Sequence, residues 1–158
     1  DFFKEIFEMK LFLAGPGTEN PLKHIPSQGV IARVNFQQYP RGGGYQAEHI
    51  DQHGKYALVQ TIVQASTQGK DFQTGGLFVR ETADSKPYMI DQHTVPGDLM
   101  ILSTAIRHGV APVDEQERFD WKKSDGRWII MPMMLWSDYP HPENTKPIQI
   151  KNDSGARQ

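Results

Sequence analysis

Apolar residues in the opening stretch DFFKEIFEMKLFL fall at Phe3, Ile6, Phe7 and Leu11. That spacing keeps them on one stripe of a 3.6-residue period and predicts a single amphipathic helix. AGPGTENPLKHIPSQG follows, rich in Pro, Gly and Asn, and reads as a connecting loop. From Val30 the period changes. VIARVNFQQY carries Val30, Ala32, Val34 and Phe36 on one face, with Arg33, Asn35, Gln37 and Tyr39 on the other. This is the two-residue alternation of a strand. KYALVQTIVQAS is rich in β-branched residues and long enough for a central strand. GGLFVRE, YMIDQ, LMILST, RHGVAPV and RWIIMPMMLW complete the set. They are punctuated by turn chemistry in ADSKP and VPGD and by the charged loop DEQERFDWKKSDG, which reads as a solvated insertion.

One helix followed by seven or eight strands predicts a mainly β domain, a sandwich or barrel rather than a parallel α/β sheet. Among these, a double-sheet jelly roll is a common host for a small-molecule or metal cavity. The expected organisation is one domain: residues 1–28 as helix and loop, 29–136 as the β core, and 137–158 as a Pro-rich tail extended over the surface. No internal repeat or low-complexity tract interrupts it.

At 158 residues the chain can bury a real core. Its formal charge of -2 provides no basic footprint for nucleic acid or an acidic membrane surface. No apolar run reaches the roughly 18 residues a membrane span needs. With no signal-peptide pattern, a cytoplasmic location is expected. The first residue is Asp1 rather than an initiator Met, which leaves open an earlier segment carrying a targeting signal. The count of zero cysteines changes the picture more. It removes disulfides, thiolate zinc sites and cysteine nucleophiles, so any metal must be held by His and carboxylate. Such ligands favour Fe(II), Mn(II), Ni(II) or Zn(II).

Six histidines are present. His24 and His141 sit in Pro-rich segments and His93 precedes the VPGD turn; each reads as an ordinary polar histidine. His49 and Asp51 differ. If AEHIDQ begins a strand, residues two apart project from the same face, and the imidazole and carboxylate form half of a facial metal site. His53 would share that face, but Gly54 makes the strand irregular there and His53 is left out of the set. His108, in TAIRHGVAPV, offers the third ligand. Two histidines and one carboxylate leave three open positions on an octahedral ion, the arrangement of non-haem Fe(II) oxygenases.

On these residues the chain resembles the Fe(II)- and 2-oxoglutarate-dependent oxygenases. The resemblance lies in H-x-D at His49–Asp51, GGLFV, PGDLMIL leading to His108, and a basic residue opening the last apolar strand. YPRGGGYQAEHID resembles the metal approach of the prolyl-hydroxylase-like branch, and the similar region runs from about Val30 to Trp136. The resemblance implies a double-stranded β-helix (jelly roll, cupin-like) with Fe(II) on His49, Asp51 and His108. It further implies 2-oxoglutarate and O2 as cosubstrates, and succinate and CO2 as products of a hydroxylation. A cation must then anchor the distal carboxylate of 2-oxoglutarate. Arg118 follows His108 by ten residues, near the family interval, but sits in the charged loop. Arg127 opens RWIIMPMM and is preferred, because a planar guanidinium at the mouth of an apolar strand is pre-organised for a carboxylate. Many relatives carry Ser or Thr two residues later, where this chain has Ile129, so Tyr39 is expected to donate to the same carboxylate. Tyr45 is expected at the substrate mouth, and Arg33, Gln60 and Gln64 as cavity-lining residues. Gly42, Gly43 and Gly44 are expected to form a tight bend into the metal-bearing strand.

A retained carboxylate at Asp51 favours hydroxylation over halogenation, with desaturation or ring formation open. The substrate, a small molecule or a peptide such as an amino acid, natural product or prolyl residue, is not specified. Two other readings stand beside this one: a cupin-like metal enzyme that uses no 2-oxoglutarate, and a non-catalytic β-sandwich binding module.

Overall fold

The computed structural model describes residues 1–18, 20–22 and 30–136. The expected tail over 137–158, with His141, and His24 in the loop lie outside the described residues. The opening stretch forms α1, Phe2–Ala14, with Glu5 in its first turn and Gly15 closing it at φ 87°. Phe7 packs with Val30, Tyr56 and Met134, and Phe3, Leu11, Ala32 and Val34 extend the cluster. The helix thus covers the apolar face of the first strand. Lys10 lies on the same stripe and is only 4% exposed. Its Nζ donates to the Val59 carbonyl at 2.5 Å. Desolvation holds its pKa down at about 8, an effect partly offset by the Asp51 carboxylate. No described helix is long and apolar enough to cross a membrane.

Eight strands follow: β1 Val30–Pro40, β2 Gly44–His49, β3 Val59–Gln64, β4 Gly76–Arg80, β5 Tyr88–Met89, β6 Leu99–Ser103, β7 Arg107–Val113 and β8 Gly126–Trp136. They form two four-stranded sheets, ordered β1-β8-β3-β6 and β2-β7-β4-β5. Every pairing is antiparallel. The sheets enclose a core that includes Tyr39, Ile62, Phe72, Leu77, Met100, Val110 and Ile129. The fold is mainly β, consistent with a β-sandwich, with one short helix.

Several local expectations need correction. The strand expected to bear the ligands ends at His49, and Asp51 lies beyond it, in a segment that belongs to no strand. The β2·β7 ladder shifts register twice, between Gly44 and Gln46 and between Gln46 and His49, so simple alternation does not position the pair. KYALVQTIVQAS contributes only Val59–Gln64 to β3, because Gly54 and Ala57 close a separate bridge before it. In β1 the apolar face meets the helix only as far as Val34; Phe36 is 67% exposed, while Tyr39 on the polar face enters the core between the sheets. The charged loop is not wholly solvated: its first residue, Asp114, is buried and held at φ 43°. The glycine bend is as expected. Gly42 and Gly43 have φ of 88° and 102°, and their N–H groups donate to the carbonyls of Asp114 and Val113. A side chain at Gly42 would meet the Phe119 backbone.

Candidate metal centre

β2 and β7 are paired so that His49 lies opposite His108, and their rings stand 4.4 Å apart, tilted by 51°. Asp51 follows immediately. Its Oδ1 is 3.4 Å from His49 Nε2, and its Oδ2 is 3.5 Å from His108 Nε2. One donor atom from each of the three residues lies within 4.8 Å of the others. Cis ligands at bond lengths of about 2.1 Å would stand roughly 3 Å apart, so a modest contraction brings these atoms onto one cation.

The tautomers are set by the backbone. His49 Nδ1 lies 2.9 Å from the Ala47 carbonyl and His108 Nδ1 lies 3.0 Å from the Ile106 carbonyl. A carbonyl only accepts, so in each neutral ring Nδ1 carries the hydrogen and Nε2 presents its lone pair toward Asp51. Asp51 Oδ2 is buried with no hydrogen-bond partner. A buried, unsatisfied carboxylate oxygen is costly, and a cation between it and the two Nε2 atoms would satisfy it. The set fits a divalent metal of the class that takes imidazole and carboxylate together. His53 is outside this group: its Nδ1 sits 2.9 Å from Thr104 Oγ1. His93 instead stacks against Tyr88, with ring centroids 5.4 Å apart.

A cavity of about 40 Å³ adjoins the three ligands and is lined by Tyr39, Gln46, Gln60, Leu77, Arg127 and Ile129 among others. Arg127 is fully buried and Arg118 is exposed. The strand-opening arginine is thus the one brought to the metal side. Arg127 does not face the cavity unpaired. Its Nε and Nη2 bind Asp91 Oδ2 and Oδ1 at 2.5 and 3.0 Å. Its guanidinium carbon stands 5.4 Å from the centre of the Tyr39 ring. Asp91 Oδ2 also accepts from the Leu77 N–H at 2.8 Å. This carboxylate reaches its place because residue 76 is glycine, at φ 101°: a Cβ there would collide with Asp91 Oδ2. The Gly-Gly strand start therefore makes room for an ion pair.

Arg127 Nη1 has no hydrogen-bond partner, and the same holds for both amide atoms of Gln64, which is 1% exposed. Gln64 pairs with Ile129 across the β3·β8 ladder, which puts both side chains on one face. Tyr39 lines the cavity as expected, but its hydroxyl donates to Gln46 Oε1 at 2.8 Å. Burial pushes its phenol above the usual tyrosine value, with Arg127 opposing and Asp91 adding to the shift, so it remains a donor at neutral pH. The Gln46 amide nitrogen is 3.3 Å from His49 Nε2, linking Tyr39 to the ligand set. Gln60 is 9% exposed and lines the cavity. Arg33 lines a neighbouring one, and Tyr45 is 65% exposed, away from both.

Gln46 and Asp91 were missed in the sequence. Gln46 lies three residues before His49, within YPRGGGYQAEHID, but no role was expected of it. Asp91 reads locally as a turn acid, and its only signal is the small residue at Gly76 that admits it. Comparisons of the chain with protein-family models, curated proteins and solved structures return no significant match, so the functional reading rests on the geometry.

Proposed function

We propose that this chain is a jelly-roll oxygenase that uses Fe(II), 2-oxoglutarate and O2 to hydroxylate an unactivated C–H bond, releasing succinate and CO2. The observation that carries it is the convergence of His49 Nε2, His108 Nε2 and the buried, unpartnered Asp51 Oδ2 beside a cavity that ends at Arg127. The strand pairings support the jelly roll. They run β1·β8, β2·β7, β3·β6 and β4·β5, the nesting of one long antiparallel hairpin folded over itself.

His49, Asp51 and His108 would hold the metal, which supplies the oxidative chemistry when bound. The chain's own work is binding and orientation. The carbonyls of Ala47 and Ile106 keep both imidazoles in the ligating tautomer. Arg127 offers its free Nη1 to the distal carboxylate of the cosubstrate, while Asp91 and the Tyr39 ring hold the guanidinium plane. Asp91 already neutralises that arginine, so the carboxylate is held by directed hydrogen bonds rather than by net charge. Tyr39 can turn its hydroxyl from Gln46 toward the same group. The wall of Ile62, Leu77, Val110, Ile129 and Met131 keeps water out.

The Asp91–Arg127 pair also favours a second reading, a metal enzyme of the same fold that needs no 2-oxoglutarate, because a neutralised arginine is a weaker anion receptor. One experiment separates them. Succinate formation from 2-oxoglutarate with added Fe(II) in air is measured alongside 2-oxoglutarate binding for wild type, His49→Ala and Arg127→Ala. Expected are turnover in wild type, loss of metal in His49→Ala by more than about 100-fold, the upper end of what an outer-shell contact costs, and loss of 2-oxoglutarate binding in Arg127→Ala. Metal binding without any 2-oxoglutarate binding selects the second reading. Undisturbed metal content in His49→Ala sinks both.

A further inference from the structure

β3 and β8 are laddered only at Val63↔Ile130 and Gln64↔Ile129. Two residues further along β8 stands Pro132, which has no N–H to give to a neighbouring strand. Its carbonyl is satisfied by the Thr61 hydroxyl at 2.7 Å, and no ladder pairing of the two strands continues beyond it. There a cavity of about 250 Å³ opens, lined by Gln60, Met133 and Met134 from these two strands, by Arg33 of β1, by Lys10 of α1 and by Asp51. Asp51 and Gln60 line the small cavity beside His49 and His108 as well, so the two spaces share the candidate ligand Asp51.

Lys10 is out of place for a helix stripe that includes Ile6 and Phe7. It is 4% exposed and forms no ion pair among the described residues. Its one hydrogen bond among the described residues, to the Val59 carbonyl, uses one of three ammonium donors. Asp51 lines the same cavity and acts on Lys10 through space, but no carboxylate forms an ion pair with it among the described residues, and burying a lysine without such a partner is costly. Arg33 is exposed at the margin of the same cavity and also lacks an ion-pair partner among the described residues. Two cations therefore stand around a space whose remaining wall combines the thioethers and alkyl carbon of Met133, Met134, Val59 and Leu135 with the polar groups of Gln52, Gln60 and Thr104 and the Asp51 carboxylate. A second cavity of about 390 Å³ shares Gln52, Ala57, Met134 and Leu135 with it, and together they fall in the roughly 300–1,000 Å³ range of small-molecule sites.

We propose that this cavity is the binding site of the primary substrate, and that the substrate is a small organic carboxylate. Its acid group sits between Lys10 and Arg33, and its apolar body lies on Met133 and Met134, directed toward Asp51. That the bound molecule is oxidised rests on the oxygenase reading; that the cavity selects a carboxylate does not.

The test uses the full chain stripped of metal, titrated with 3-phenylpropanoate and with its neutral counterpart 3-phenylpropanamide. Methyl NMR of the methionines follows binding, and Mn(II) affinity is measured separately on each sample. The acid is expected to bind about tenfold or more tightly than the amide, as one charge-assisted hydrogen bond provides. Met133 and Met134 should shift while Met89, on β5, does not. Lys10→Met and Arg33→Gln should each abolish the preference for the acid and leave Mn(II) affinity unchanged. No binding, equal affinity for acid and amide, or a preference that survives both substitutions overturns the proposal. Loss of Mn(II) binding in wild type with the acid preference intact would instead overturn the metal-enzyme reading and leave the carboxylate site standing.

Discussion

Arg127–Asp91 and Arg41–Asp114 are the same chemical pair in two surroundings. In the second, every part is used. Arg41 reaches Asp114 at 2.7 Å, Glu117 at 3.1 Å and Asp125 at 3.7 Å. Asp114 also accepts from the backbone N–H groups of Gln73 and Thr74 and from the Thr74 hydroxyl. It ties the segment before β4 to the end of β7 and to the residue following Pro40, which is work enough to explain its burial. The first pair is more deeply buried yet incomplete: Asp91 is saturated, but Arg127 Nη1 has no partner. A fastener leaves no donor over. A buried donor left over, beside a cavity lined by three residues that could hold a metal ion, is what the proposed anchor for the cosubstrate needs.

Removing the acid from each pair sharpens that contrast, and Asp91→Ala should have the largest effect. It strands a fully buried guanidinium and the Leu77 N–H, and is expected to lower unfolding free energy by about 3–5 kcal/mol in denaturant titration. Gly76→Ala should act through the same carboxylate, by displacing Asp91, and give a comparable loss. The double variant Arg127→Met/Asp91→Asn removes both charges; it should recover much of the stability and abolish the 2-oxoglutarate binding that Asp91→Ala, which keeps the arginine, retains. If single and double variants bind 2-oxoglutarate alike, Arg127 is only a fastener and the comparison fails.

Asp114 should produce a smaller effect with a distinct pH signature. Burial alone would raise its pKa, but the N–H donors of Thr74 and Gln73 and the Arg41 guanidinium outweigh that and hold it below the usual carboxylate value of 3.8. With the folded pKa depressed, the unfolded chain binds more protons, so the stability is fully present above the unfolded value and is lost as pH falls through the folded one. Thermal melts should therefore show a decline confined to pH below about 4. In Asp114→Asn that part of the decline should vanish, with about 1–3 kcal/mol already missing at neutral pH. Smallest of all, Glu8→Ala breaks the exposed Lys4–Glu8 pair on α1. It should change stability by less than about 0.5 kcal/mol, setting the scale for an ion pair that does nothing else.

Much of this was legible along the chain. The helix, both long strands and RHGVAPV carry their period in consecutive residues, and β7 spans Arg107–Val113 just as the pattern predicts. His49, Asp51 and His108 stand out because so few residues of a cysteine-free chain can hold a metal. Lys10 could have been noticed too, since it occupies the apolar stripe three and four residues after Phe7 and Ile6. Its neighbour across the cavity, Arg33, was expected to line a cavity and lines this one, but that it stands there with Lys10 depends on which segments meet.

What the sequence by itself determined is therefore the local part: a mainly β chain behind one amphipathic helix, and a short set of candidate ligands. Tertiary structure alone decided that β2 ends at His49 and that Asp51 still arrives between the two imidazoles. It also decided that Arg127 is clasped by Asp91, and that a buried lysine faces the gap left by Pro132. The physical reason is range. Periodicity reports how a residue is oriented on its own element, whereas the cost of a buried charge is set by partners tens of residues away, which come together only when the sheets close.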